Sequence, residues 1–158
     1  MTRPGIDLIE AKLILALQGS TDLSTIPDTQ IMSVDRGVDF DKWEVVIAPP
    51  AILVQYDGGG YEPKNTDDSA YRIVERFTLV AVGAALSGIG AAKQGVYDIL
   101  EDLKVAIVAN RKLSLAADKS IFLRLVGIVV FDNLFYSFGC AAYGLTIEAY
   151  GSTWDYIP

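Results

Sequence analysis

Side chains able to do covalent or acid–base chemistry are few and scattered in this chain. It has no histidine, which removes the usual general base, the commonest metal ligand and the one side chain that ordinarily titrates near neutral pH. Triads of the Ser-His-Asp or Cys-His kind are therefore impossible. The single cysteine, Cys140, cannot make an intrachain disulfide, nor a thiolate zinc site by itself. In the small apolar run Gly139-Cys140-Ala141-Ala142 it reads as a buried thiol with no base to activate it. Acidic pairs occur at Asp39/Asp41, Asp67-Asp68 and Glu101-Asp102, the raw material of a carboxylate metal site or of a glycosidase-like acid and base. Nothing in their spacing makes them converge. Asp39-Phe40-Asp41 lacks the rest of a calcium loop, and Glu101-Asp102 fits the solvated face of a helix.

Gly88-Ile89-Gly90 lies between a strand-like run, 71–83, and a helix-like one, 91–109, the one place where a nucleotide phosphate could be cradled. A dinucleotide fingerprint needs a third small residue three positions after the second glycine, so that helix and strand pack closely. That position holds Lys93. A P-loop needs Gly-Lys-Ser/Thr, and Gly90 is followed by Ala91-Ala92-Lys93. Residues 87–90 are expected to form a turn that opens a helix. No catalytic residue, cofactor or metal site is assigned, and the chain is not expected to be an enzyme.

The elements that would position these groups are those of one domain. A chain of 158 residues buries roughly 70% of the surface its unfolded form exposes. Hydrophobic residues make up 51% of it, yet charges, glycines or prolines break every apolar run before the eighteen or so residues a bilayer requires. Asp7, Glu10 and Lys12 interrupt the first seventeen residues, so no secretory signal is expected and the chain should stay in the cytoplasm where it is made. A net charge of −7 argues against gripping a phosphate backbone, which takes Lys and Arg.

Ile6, Ile9, Leu13 and Ala16/Leu17 recur at helical spacing, with Gly19 where a helix would stop. Residues 21–41 read as a linker around a short strand at 30–34. Residues 43–48 and 51–56 are strand-like on either side of Pro49-Pro50. Run 71–83 alternates, with Tyr71, Ile73, Phe77, Leu79 and Ala81 on one side and Arg72, Arg76 and Thr78 on a wetter one. A second helix at 91–109 carries Val96, Ile99, Leu100, Leu103 and Ile107 in one stripe, with Tyr97, Asp98, Glu101 and Asp102 elsewhere. Extended runs at 121–131, 134–138 and 141–150 follow. The fold class expected is α+β: a mainly antiparallel sheet with two helices packed on one face, plus an extended arm.

That arm is segment 57–70, whose glycine triplet Gly58, Gly59 and Gly60, Pro63 and acidic Asp67 and Asp68 offer little to a core beyond Tyr61. It reads as an exposed loop contributing little to monomer stability. Residues 151–158 read as a tail beyond the last strand, with Trp154 and Tyr156 either folded back or buried against a neighbour. Gly58, Gly59, Gly60, Tyr61, Asp67, Asp68, Trp154 and Tyr156 are the candidate assembly residues.

With these elements in order, the chain resembles the Mu-like prophage tail proteins that look like tail terminators, a group whose fold is similar to the terminators of lambda-type long-tailed phages. The resemblance covers most of residues 1–158. It is carried by the opening helix 6–17, the strand YRIVERFTLVAVG, the helix GVYDILEDLKVAIVANRKL and the closing run FLRLVGIVVFDNLFYSFGCAAYGLTIEAY. It implies a single tail-terminator-like domain that forms a hexameric ring, caps the finished tail tube, stops its polymerisation and offers the surface that joins the filled head. The implied partners are further copies of the same chain, the tail tube protein, a sheath protein and the head–tail connector. DNA is implied only as cargo crossing the lumen, and no membrane is involved. The implied place is the tail or neck of the virion, assembled in the host bacterial cytoplasm. An acidic, histidine-free chain suits a conduit that DNA traverses without adhering. A head–tail connector or stopper would share these characters and differ in position. A small ligand-binding domain would instead be monomeric or dimeric and gain thermal stability with its ligand.

Because Lys93 stands where a fingerprint needs a small residue, calorimetry with ATP, GTP, NAD and FAD is expected to be flat. Micromolar binding abolished by Gly88→Val or Gly90→Val would overturn that expectation.

Overall fold

A computed structural model describes residues 5–34, 49–64, 66–67, 70–84, 89–114, 120–130 and 140–156; at 84, 89, 140 and 152–156 it describes the backbone alone. Helix α1 spans Ile6–Gln18 and buries Ile9, Leu13 and Leu17, one residue per turn along a single stripe. It ends at Gly19, whose N–H reaches the Leu15 carbonyl at 3.0 Å. Two single-turn 3-10 segments, Thr21–Leu23 and Asp28–Gln30, follow, and Leu23 and Ile26 drop into the core. The Gln18 amide donates to the carbonyls of Asp28 and Ile31 at 3.0 and 3.2 Å, tying the helix end to the first strand. That strand, β1 (Ile31–Val34), is the short one expected inside the linker.

Strands β2 (Ala51–Pro63), β3 (Tyr71–Ala84), β4 (Lys112–Ser114), β5 (Ser120–Val130) and β6 (Cys140–Tyr156) complete a six-stranded sheet in the order β1-β2-β3-β6-β5-β4. The sheet is mixed, not the mainly antiparallel one expected: β1 runs parallel to β2 in the register Ile31↔Ile52 to Val34↔Gln55. A parallel pair needs a crossover where an antiparallel pair needs only a turn, and residues 35–50 supply its length. The strands expected at 43–48 and 134–138 lie outside the described residues.

Helix α2 (Ile89–Ala109) begins two residues earlier than the spacing suggested, so Gly90 is helical and not part of a turn. Its stripe of Val96, Ile99, Leu100, Leu103 and Ile107 is buried, in one cluster with Ile9, Leu13 and Leu17 of α1. Phe77, Leu79 and Ala81 of β3 and Tyr143, Leu145 and Ile147 of β6 join the same cluster, so both helices lie on one face of the sheet. The other face is not simply wet. Ala51, Leu53, Val80, Val82 and Ala142 form a second, smaller buried cluster there, flanked by Met32 and Val34. Thr78 is buried too, and polarity on this face is concentrated toward Arg72 and Arg76.

Two expectations are corrected at the far end of the sheet. Residues 57–63 are not loop but the second half of β2, paired with β3 from Gly58↔Arg76 to Pro63↔Tyr71. Residues 151–156 are not a tail but the end of β6, where Arg72↔Asp155 and Tyr71↔Tyr156 pair across β3. Sequence propensity fails here because β3 presents two open edges, and ladder hydrogen bonds outweigh the weak strand preference of glycine. The register slips once on each side. Asp57 bulges out of β2, after which Gly58 takes φ 103°, and four residues of β6, 151–154, stand opposite Ile73 alone.

At Gly83 α2 packs closely on the sheet: a Cβ there would lie 2.8 Å from Val96 Cγ2 and 3.3 Å from the Ala92 carbonyl oxygen. Gly83→Val is expected to push the helix off and lower stability by about 2–3 kcal/mol. Gly60→Ala, with nothing within 4 Å of the added atom, should stay within about 0.5 kcal/mol. Urea unfolding of the two variants checks both.

Candidate assembly interface

The two corrections bring together residues that looked unrelated in sequence. Tyr71 pairs with Pro63 on one side and Tyr156 on the other, so the glycine-rich arm and the C-terminal residues form one three-stranded ribbon. Gly58, Gly59 and Gly60 follow each other along it for different reasons. Gly58 needs a positive φ, which other residues adopt at a cost. A Cβ on Gly59 would meet Glu75 Oε2 at 2.6 Å. Gly60 has open space. Tyr61 is 65% exposed and meets Tyr71 edge-on, with ring centroids 6.4 Å apart. Asp67 sits exposed in the turn beyond. Asp68 lies outside the described residues, and Trp154 and Tyr156 are placed by their backbone in β6.

A row of charges not expected from the sequence crosses the face away from the helices. Glu148 on β6, almost wholly buried, accepts hydrogen bonds from Arg76 Nε at 3.1 Å and Arg124 Nε at 3.0 Å. Arg124 Nη2 also reaches Glu148, and donates to Glu62 at 2.9 Å. Four strands thus contribute one residue each, from β2 to β5. Beside the row, Tyr150 stacks on Phe122 at 5.7 Å between centroids. The guanidiniums of Arg72 and Arg124 lie 5.2 and 5.5 Å from its ring centre, a range in which the aromatic quadrupole attracts a cation. Arg72 Nε is buried and has no hydrogen-bond acceptor among the described residues.

Burial pushes the Glu148 carboxyl up, but the hydrogen bonds and charges of Arg124 and Arg76 outweigh it and hold the group below the ordinary carboxylate range. The hydrogen bond to Glu148, opposed by burial, raises Arg124 above its ordinary value. Period-2 alternation places Arg72, Arg76, Phe122, Arg124, Glu148 and Tyr150 on equivalent faces of their strands; that signal was present, but the cross-strand register joining them is not written in any one strand.

The second unexpected feature is the far half of β5. Leu125, Val126, Ile128, Val129 and Val130 are 39–57% exposed, although they point to both faces. Strand β4 pairs only with Ser120, Ile121 and Phe122, and the Arg111 carbonyl accepts the Leu123 N–H at 2.8 Å. From Arg124 on, no described strand lies along that edge. Apolar side chains are also exposed on the helices: Leu8 and Leu15 on α1, Val105 and Val108 on α2.

A cleft of about 300 Å³ beneath the arm is lined by Ile6, Tyr56, Gly59, Gly60, Tyr61, Ile73 and Glu75. Its carboxylate, Glu75, is buried and engaged by the Tyr56 hydroxyl at 2.6 Å. That volume lies at the lower limit of small-molecule sites. Glu101 is bridged to Lys104 at 2.6 Å on the outer side of α2. Among the described residues no three His, Cys, Asp or Glu side chains converge on a metal position, and no helix is long and apolar enough to cross a membrane. The side chain of Cys140, and Asp39 and Asp41, lie outside the described residues. No protein-family model matches the chain, and no curated protein matches it either.

The folded carboxyl of Glu148 titrates below its unfolded value, so its contribution is complete above the ordinary carboxylate pKa, about 4.3, and is lost as pH falls through the folded value. Glu148→Gln is expected to cost about 1 kcal/mol near neutral pH, the arginines being half-exposed. It should also flatten the acid limb of the stability curve below roughly pH 5. Denaturant titrations at several pH values decide this; an acid limb identical to that of the parent protein would remove Glu148 from the account.

Proposed function

We propose that this chain is a non-enzymatic structural subunit of a phage or prophage tail: a terminator, six copies of which close into a ring that caps the tail tube, ends its polymerisation and joins it to the head. The observation that carries the reading is the uncharged run Leu125–Val130 of β5, exposed on both faces along an edge with no described neighbour. Apolar strand edges of that kind are ordinarily covered by a partner. Exposed apolar residues on α1 and α2 add separate patches, and head-to-tail packing requires two different patches on every copy. The two-helix α+β sandwich agrees with the terminator-like order of elements, and the charge of −7 suits a passage through which DNA moves without binding.

In this reading the ring contacts the tail tube, the sheath and the head–tail connector, and sits in the neck of the virion after assembly in the host cytoplasm. Native mass spectrometry of the purified protein, with electron micrographs of tails carrying a labelled copy, tests it. The expected result is a six-copy assembly, in solution or on contact with tubes, at the head-proximal end. A protein that stays monomeric and is missing from that end would overturn the reading; a position on the head side of the neck would make it a stopper.

A further inference from the structure

We infer that the cleft beneath the glycine-rich half of β2 is a binding site for a small organic ammonium ion, a free amine or the ammonium head of a lysine side chain. The assignment does not rest on the ring. Its floor is the carboxylate of Glu75, a residue 1% exposed that nevertheless lines the cleft. An ionised carboxylate accepts at about four lone-pair positions, so the Tyr56 hydroxyl, 2.6 Å from Oε2, leaves capacity for further donors. Strand β2 passes close over this group because residue 59 is glycine: a Cβ there would lie 2.6 Å from Oε2 and 3.1 Å from Oε1.

The lining decides the charge, shape and size of the occupant. An anion is repelled by Glu75, and a neutral apolar guest would strip water from the carboxylate without replacing its hydrogen bonds. A calcium ion takes about six to eight oxygens, whereas one carboxylate lines this cleft and, among the described residues, no three ligating side chains converge. An ammonium brings three N–H donors and one positive charge. Tyr56 and Tyr61 on the walls offer ring faces that attract a cation. Each ring is braced by another, Tyr56 on Phe77 with centroids 5.4 Å apart and Tyr61 on Tyr71 at 6.4 Å. Ile6 and Ile73 supply the apolar surface along which an alkyl stem lies. Helix α1 starts at the cleft with Ile6, and the positive end of its dipole is offset by Asp7 in the first turn. The chain's charge of −7 draws cations toward it. About 300 Å³ suits a head group on a short stem and not a larger cofactor.

Titration of the full-length chain with n-butylammonium chloride, followed through the backbone amide resonances of Gly59, Gly60 and Tyr61, tests the site. Saturable shifts confined to the cleft are expected, with 1-butanol and equimolar sodium chloride producing none. Glu75→Gln should weaken binding at least tenfold. Tyr61→Ala, at a 65% exposed position, should weaken it roughly threefold with the circular dichroism spectrum preserved, and Tyr61→Phe, which keeps the ring face, should bind like the parent. Should Glu75→Gln not fold, the Tyr61 pair and the neutral butanol still decide. A blocked pentapeptide with one central lysine separates the two sources: binding tighter than butylammonium marks a lysine side chain, weaker binding a free amine. No saturation while the chain is folded, an equal response to 1-butanol, or a Tyr61→Ala variant that binds like the parent would each overturn the site. Rings that form without ammonium binding would sink the site and leave the ring standing; binding without rings would do the reverse.

Discussion

Strand β3 must find hydrogen-bond partners on two edges at once, and most of the far end of this sheet follows from that requirement. From Phe77 to Val82 its residues are buried on both faces, so its backbone cannot turn to water for the partners it lacks, and an unpaired buried N–H or C=O costs about 1–3 kcal/mol. β2 on one side and β6 on the other are held alongside it to its first residue, Tyr71. A stretch as poor in strand formers as Asp57-Gly58-Gly59-Gly60 is drawn into the ladder because the alternative leaves β3 open. The same pressure carries β6 past a four-residue excursion and back into register at Asp155.

The charged row shows how the sheet bends. Arg124 of β5 touches Glu62 of β2, although β3 and β6 lie between their strands. Three strand spacings amount to about 14 Å in a flat sheet. Two extended side chains cover that distance more readily when the strands curl toward each other on the face away from the helices. Glu148 lies beneath, with both arginines on it. Half-exposed ion pairs of this kind add little stability singly. Their geometric effect is larger, because a guanidinium fork shared between two carboxylates fixes the relative positions of three strands.

How much of this was legible beforehand varied with the range of the interaction involved. Both helices could be read from their own periodicity: Ile9, Leu13 and Leu17, and then Val96, Ile99, Leu103 and Ile107, carry the 3.6-residue repeat without reference to anything distant. The alternation of β3 was readable for the same reason. What escaped depends on a second segment. The parallel pairing of Ile31–Val34 with β2, the strand character of 57–63 and the extension of β6 to Tyr156 are set by register against β3 or β2. Of the candidate assembly residues, the glycine triplet, Tyr61 and Tyr156 do converge on one ribbon, though as strand and not as loop and tail. The exposed half of β5 escaped for the opposite reason. Leu125 to Val130 look like any buried strand in sequence, and no local feature announces that they are exposed.

The slip at Asp57 has a further meaning for how this chain tolerates change. Before it, Ile52, Val54 and Tyr56 point toward the helices; after it, Gly59 and Tyr61 do, opposite Glu75 and Ile73. One added residue has exchanged the two sides of the strand. The segment therefore works as a parity switch, holding one residue more than an uninterrupted ladder would need. Losing a single residue between Tyr56 and Gly60 would leave Tyr61 four positions from Tyr56, on the same side by plain alternation, so the tip would keep Tyr61 beside Tyr71 and Glu62 beside Arg124 and lose only the bulge. A one-residue deletion here is absorbed by the slip, whereas an insertion adds a second extra residue that the ladder must bulge around or let exchange the two surfaces of the whole tip.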